Sequence, residues 1–205
     1  MSRNKIAMKK TRLFVGSALV TAVSLAVAPS VARAQPSVSV PLQGAMAVTA
    51  TVNPNTPGTV IYCALPAPPG PPQTSSLELV AEAHGNGFTS LGAFTFAFNK
   101  FVSLPGAMQG CATLTAPNGD YLIAAYQGTA GTGDSNGFTP ATGTLTITGG
   151  TGRFQGASGK VDFSALFLAL YPGSSFAGGP PKPLLYVSAF YTLEGTLSLP
   201  FGPGH

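Results

Sequence analysis

The chain has 205 residues, ten Lys and Arg, six Asp and Glu and two His, a formal net charge of +4. Charged residues make up 8% and hydrophobic ones 44%, with 26 glycines and 19 prolines, the opposite of the charge-rich, weakly hydrophobic balance of disordered chains. Six of the ten cations lie in residues 1–34; beyond them Lys100, Arg153, Lys160 and Lys182 stand against Glu78, Glu82, Asp120, Asp134, Asp162 and Glu194, a net charge of minus two, which excludes a phosphate-tracking basic surface and hence nucleic-acid binding by charge.

Residues 1–12 carry Arg3, Lys5, Lys9, Lys10 and Arg12, residues 13–28 are apolar, and Ala32-Arg33-Ala34 is a small-x-small cleavage site. This is the layout of a secretory signal peptide. Its apolar core is short for a membrane span, so the mature chain is expected to start at Gln35, to be secreted or periplasmic, and to have no transmembrane segment. The remainder is long enough for one domain with a sizeable core. Residues 35–76 are expected to form an N-terminal extended segment with a proline-rich loop, residues 77–200 the main domain, and residues 201–205 a tail.

Residues 35–42 read as extended, and residues 45–52 alternate weakly. Turn chemistry fills residues 53–58. Residues 59–65 are β-rich and contain Cys63, whereas residues 66–73 (PAPPGPPQ) lack the donors a sheet needs. Residues 77–84 alternate, with Leu77, Leu79, Ala81 and Ala83 on one face and Glu78, Glu82 and His84 on the other; Gly85-Asn86-Gly87 reads as a turn. Residues 93–102 place Phe94, Phe96 and Phe98 on one face, the strongest core stripe in the chain. Residues 111–116 and 121–128 flank Pro117-Asn118-Gly119-Asp120, a tight hairpin signal. Residues 129–140 read as a polar loop.

Residues 143–159 (GTLTITGGTGRFQGASG) hold six glycines. Leu145 and Ile147 alternate with threonines, then Gly149 and Gly150 break the pattern, and Gly152, Phe154, Gly156 and Gly159 complete a corner before a return strand. Residues 160–171, 184–190 and 191–199 supply further strands around a loop at 172–183. Eight to ten short strands joined by tight turns, with no amphipathic helix after residue 34, define an all-β antiparallel sheet, and closure into a barrel of about eight strands removes its exposed edges. The two cysteines of an exported domain, Cys63 and Cys111, are expected to pair.

Leu91-Gly92-x-Phe94-Thr95, Thr113-Leu114-Thr115-Ala116-x-Asn118-Gly119-Asp120-x-Leu122 and Thr146-x-Thr148-Gly149-Gly150-Thr151-Gly152-Arg153-Phe154-x-Gly156-Ala157-x-Gly159 resemble secreted bacterial proteins of the allene oxide cyclase-like barrel family. Plant dirigent proteins share a related GGTGxF corner. The resemblance covers about residues 78–199. It implies a calycin-like eight-stranded antiparallel barrel, often trimeric, with an apolar lumen that in plants steers cyclisation or radical coupling of hydrophobic substrates. The plant catalytic residues have no matching position here, and fold is not function.

The chemical motifs are weak. Gly133-Asp134-Ser135-Asn136-Gly137 fits GxSxG but lacks the following helix and a plausible histidine base. Gly150-x-Gly152 lacks the helix and third glycine of a dinucleotide loop. Glu78, Glu82 and His84 form a candidate polar face for acid–base work or metal binding, weighed against an ordinary solvent face. Lys160 and Asp162 read as a surface pair. No catalytic residue, metal site or cofactor fingerprint emerges. The reading favours a barrel holding a small hydrophobic ligand, with Phe94, Phe96, Phe98, Leu145 and Ile147 as candidate lumen residues. The alternatives are a cyclase- or isomerase-like enzyme and a structural protein with a plugged barrel. The outer faces of the last strands, apolar on both sides, suggest a homo-oligomer, a trimer or a dimer.

Overall fold

Every second side chain of a barrel strand must point inward, and the burial pattern follows that rule except on two adjacent strands, where Phe101, Cys111 and Thr113 are buried on the outer face as well. The computed structural model describes residues 36–63, 72–74, 76–103, 105–169 and 185–200. In chain order these form β1 (Ser37–Pro54), a short pair β2 (Ile61–Tyr62) and β3 (Pro72–Gln73), then β4 (Leu79–Thr89), β5 (Gly92–Val102), β6 (Gly106–Thr115), β7 (Tyr121–Ala130), β8 (Phe138–Gly150), β9 (Ser158–Ala169) and β10 (Leu185–Pro200). All but β2 and β3 belong to one closed antiparallel barrel, ordered β1-β10-β9-β8-β7-β6-β5-β4. The all-β, eight-stranded expectation holds.

On β1, Leu42, Met46, Val48, Ala50 and Val52 face in and the odd-numbered residues face out; on β9, Val161, Phe163, Ala165 and Phe167 face in. The inward set forms one continuous apolar core. Burying a Leu, Val or Phe side chain is worth about 1.5–3 kcal/mol, so these rows fix the register, since a one-residue slip would turn each row outward.

Several boundaries differ from the sequence reading. The barrel begins at Ser37 rather than near Leu77: β1 is a single 18-residue strand that pairs with β10 on one side and β4 on the other. Gly85-Asn86-Gly87 is not a turn. β4 runs through it to Thr89, because Gly85 and Gly87 face inward where a Cβ would lie 2.1 Å from the Ala47 carbonyl oxygen and 2.2 Å from Met46 Cγ. The glycines permit close approach of β1, which is the second reason glycine occurs in strands. Pro72 and Gln73 pair with Tyr62 and Ile61 despite their setting. The polar loop shrinks to residues 131–137, since β7 and β8 extend into it.

The glycine-rich corner is built as a bulge followed by one 3-10 turn. Ile123 pairs with Gly149 and Ala124 with Ile147, so Thr148 is the extra residue. The turn Gly152–Phe154 then swings the Phe154 ring, 2% exposed, against Phe94 at 5.9 Å between centroids. Arg153 stays exposed, its guanidinium 4.6 Å over the Phe154 ring. Gly152 has φ +52°, and a Cβ there would meet the Asp120 carboxylate, which accepts the Arg153 backbone N–H at 3.2 Å.

Cys63 and Cys111 form the expected disulfide, with Cα atoms 4.7 Å apart. It fastens the segment after β1 to the outside of β6, where Ile61, Phe101 and Cys111 make a second small core with Leu77 and Val80. The proposed leader at 1–34, Gln35, most of the proline-rich loop, the loop at 172–183 and the tail at 201–205 lie outside the described residues. Among those described, no helix is long and apolar enough to cross a membrane.

Candidate functional site

The inward row of β5 does not end at Phe98. The same parity continues to Lys100 and Val102, and Lys100 is 3% exposed, the one buried charged side chain among the described residues. Its strand neighbours make the room. Lys100 pairs with Ala81 on β4 and with Gly110 on β6, and Gly110 in turn pairs with Tyr126 on β7. A Cβ at Gly110 would stand 2.7 Å from Lys100 Cβ. With no side chain between them, the lysine and the tyrosine meet across the intervening strand.

Lys100 Nζ donates to Tyr126 Oη at 3.2 Å, to Tyr191 Oη at 3.3 Å and more weakly to Met108 Sδ at 3.7 Å. The two hydroxyls are 3.3 Å apart, so the three polar atoms form a closed triangle. Tyr191 reaches it from β10, where it pairs with Met46 and Ala165. The amine also lies over aromatic faces, 4.4 Å from the Phe98 centroid, 4.6 Å from Tyr126 and 4.8 Å from Phe167. Ring-to-ring contacts of 4.7–6.1 Å link these residues to Phe96 and Phe163. The Phe163 ring lies over Gly128 and Gly143, a directly opposed pair whose missing side chains it replaces.

No carboxylate of the described residues pairs with Lys100. Burial therefore acts without a counter-charge and pushes the amine down from 10.5 to about 7. The surrounding ring faces favour the cation, but desolvation dominates. The same burial raises both phenols: Tyr126 goes well above its usual value, helped by Tyr191, and Tyr191 also moves up. At neutral pH the site holds an amine close to its titration point beside two firmly protonated hydroxyls. Such a group can donate to an acceptor, take a proton, or act as a nucleophile.

Phe94, Phe96, Phe98, Leu145 and Ile147 all face the interior, and the first three carry the stripe that leads to Lys100. Ala112 and Ala124 are level with Phe98, whose ring lies 5.7 Å from that of Tyr126. Glu82 and His84 point outward from β4 and Glu78 precedes it, on the opposite face of the sheet from Lys100. Among the described residues, no three His, Cys, Asp or Glu side chains gather as a metal site would require. Ser135 lies in the β7–β8 turn, where Asp134 Oδ1 accepts the Asn136 and Phe138 backbone N–H groups; a strand follows, not a helix. Asp162 accepts from Thr144 Oγ1 on the outer surface.

A shallow depression of about 680 Å³ lies elsewhere, beside the exposed Phe88 and Phe190, and shares only Tyr191 with the lysine cluster. The cluster carries the distinctive chemistry and the depression does not.

No protein-family model matches the chain, and no curated protein does. Among solved structures, a pterocarpan synthase dirigent protein, GePTS1, aligns over 84% of this chain and 91% of its own, with 12% identity and a TM-score of 0.32.

Proposed function

We propose that this protein is an exported barrel that binds one small, mainly apolar molecule in its interior, with Lys100, Tyr126 and Tyr191 meeting the molecule's polar end. The observation that supports this is the buried Lys100, which has no carboxylate partner among the described residues. A buried amine without an acid is a net cost to the fold. A barrel that needed only a plug would be served by Leu or Met at this position. Ligand sites are characteristically apolar with a few converging polar groups, and an eight-stranded barrel has an interior sized for side chains or for one small ligand. Met108, unbranched and adaptable, and Phe167, toward the end where β5 turns into β6, are the side chains that would yield space.

The experiment is thermal shift of mature protein against decanoate, cinnamate and geraniol, with Lys100→Met in parallel. A ligand that binds only the folded state raises its melting temperature by mass action. The expected result is a shift for wild type that Lys100→Met loses. No shift for any probe at saturation, with Lys100→Met merely more stable, would overturn the reading and favour a plugged structural barrel, the second reading, which the ring-to-ring packing supports. Export through the leader at 1–34 belongs to the same proposal, as does a homo-oligomer formed through the outer apolar face of β9 and β10.

A further inference from the structure

We infer that Lys100 is a carbonyl-capturing amine: an apolar aldehyde or ketone held in the barrel condenses with its Nζ to give an imine. The inference rests on the binding reading and narrows the ligand class from any apolar molecule with a polar end to a carbonyl compound. Three observations carry it. The amine is enclosed at 3% exposure, so the water that would hydrolyse an imine is excluded. Two hydroxyls stand at 3.2 and 3.3 Å from Nζ and 3.3 Å from each other, a ready proton relay. Four aromatic rings surround Nζ, with centroids 4.4–6.0 Å away, an apolar setting that suits an apolar carbonyl compound.

The groups facing the amine are Met108 from β6, Tyr126 from β7, Phe167 from β9 and Tyr191 from β10, with Ala81 beside it on β4. Among the described residues no carboxylate or imidazole is among them, so nothing locks the nitrogen as an ammonium. With its pKa lowered from 10.5 to about 7 by burial, Lys100 is neutral at pH 7 far more often than an ordinary lysine.

The step balances without an oxidant. The nitrogen lone pair attacks the carbonyl carbon and the C–N bond forms. The carbonyl π pair moves to oxygen, which receives a proton by way of the tyrosine hydroxyls. The nitrogen returns that proton to the relay, giving the neutral carbinolamine; its remaining N–H proton then passes through the same relay to the hydroxyl oxygen, the C–O bond breaks, and water leaves as the C=N bond forms.

The test is reductive trapping. Mature protein is incubated at pH 7 with 3-phenylpropanal and sodium cyanoborohydride, and modified lysines are located by peptide mass spectrometry. Lys100 is expected to be labelled at least tenfold faster than the exposed Lys160, and urea should abolish that preference. Tyr126→Phe and Tyr191→Phe, with circular dichroism unchanged, should slow trapping at Lys100 and leave Lys160 unaffected. Labelling of Lys100 no faster than Lys160 in the folded protein would overturn the inference. If trapping fails while decanoate still raises the melting temperature in a Lys100-dependent way, carbonyl capture falls and the binding proposal survives. If neither occurs, both fall.

Discussion

Tyr126 and Tyr191 are 65 residues apart in sequence, on strands that are not neighbours in the sheet, yet their hydroxyl oxygens lie 3.3 Å from each other inside the barrel. Each also lies within hydrogen-bonding distance of the same lysine nitrogen. This triangle is where apolar burial and ionisable chemistry conflict, and the conflict has a measurable sign.

Stability should rise with pH from about 7 toward 10 and fall above it. The folded-state Lys100 is lowered from 10.5 to about 7, so between those values the unfolded chain binds more protons and stability increases with pH. Below pH 7 the full penalty is present, at most about 5 kcal/mol. Tyr126 and Tyr191 are raised, so above about pH 10 the folded state holds protons that the unfolded chain releases, and stability drops. Urea unfolding across pH 6–11 reads this directly. Lys100→Met should be more stable than wild type at pH 6 and lose the rise; a less stable variant at pH 6 would contradict the assignment.

Phe154→Ala should cost about 3–5 kcal/mol, the usual range for a buried phenylalanine, because its ring closes one end of the core against Phe94. Arg153→Ala, which removes an exposed side chain, should cost less than about 1 kcal/mol. Differential scanning calorimetry of the pair decides it, and equal small effects would show that the corner carries no packing load.

Reduction of Cys63–Cys111 should destabilise by about 4 kcal/mol, since the bridge closes a loop with a sequence separation of 48. Protein from its native compartment, unfolded without reductant, should offer no thiol to a labelling reagent. Two labelled thiols would refute the pairing in the native protein.

The exposed face of β9 and β10 carries Leu166, 42% exposed, directly paired with Phe190, 65% exposed. Light scattering of detergent-free protein should give a dimer or trimer, and Leu166→Glu with Phe190→Glu should convert it to a monomer without lowering its intrinsic stability. A monomeric wild type would dispose of the assembly proposal.

The barrel was legible because alternation survives in the sequence: Phe94, Phe96 and Phe98 on β5, and Leu145 and Ile147 on β8, define inner faces without any knowledge of partners. Lys100 shares that parity, but parity alone does not mark it as buried, because a lysine is exposed by default. What no single strand reveals is register. Gly110 opens the space between Lys100 and Tyr126 only when three strands align, and Tyr191 arrives from β10, distant in sequence. Gly85 and Gly87 read as a turn in sequence because a glycine that bends a chain and a glycine that admits a neighbouring backbone look alike there.

The pairing of β1 with both β4 and β10 has a consequence for biogenesis. Among the described strands, the first is joined to the last, across a register that runs from Ser37↔Pro200 to Val52↔Leu185. Until β10 is available, β1 presents one long unsatisfied edge, and so does β9. Loop closure over nearly the whole chain makes this the slowest kind of contact to form, and open strand edges recruit other chains. Folding is therefore completed only once β10 is available to pair, and a chain truncated before β10 should accumulate as aggregate rather than as a smaller folded domain.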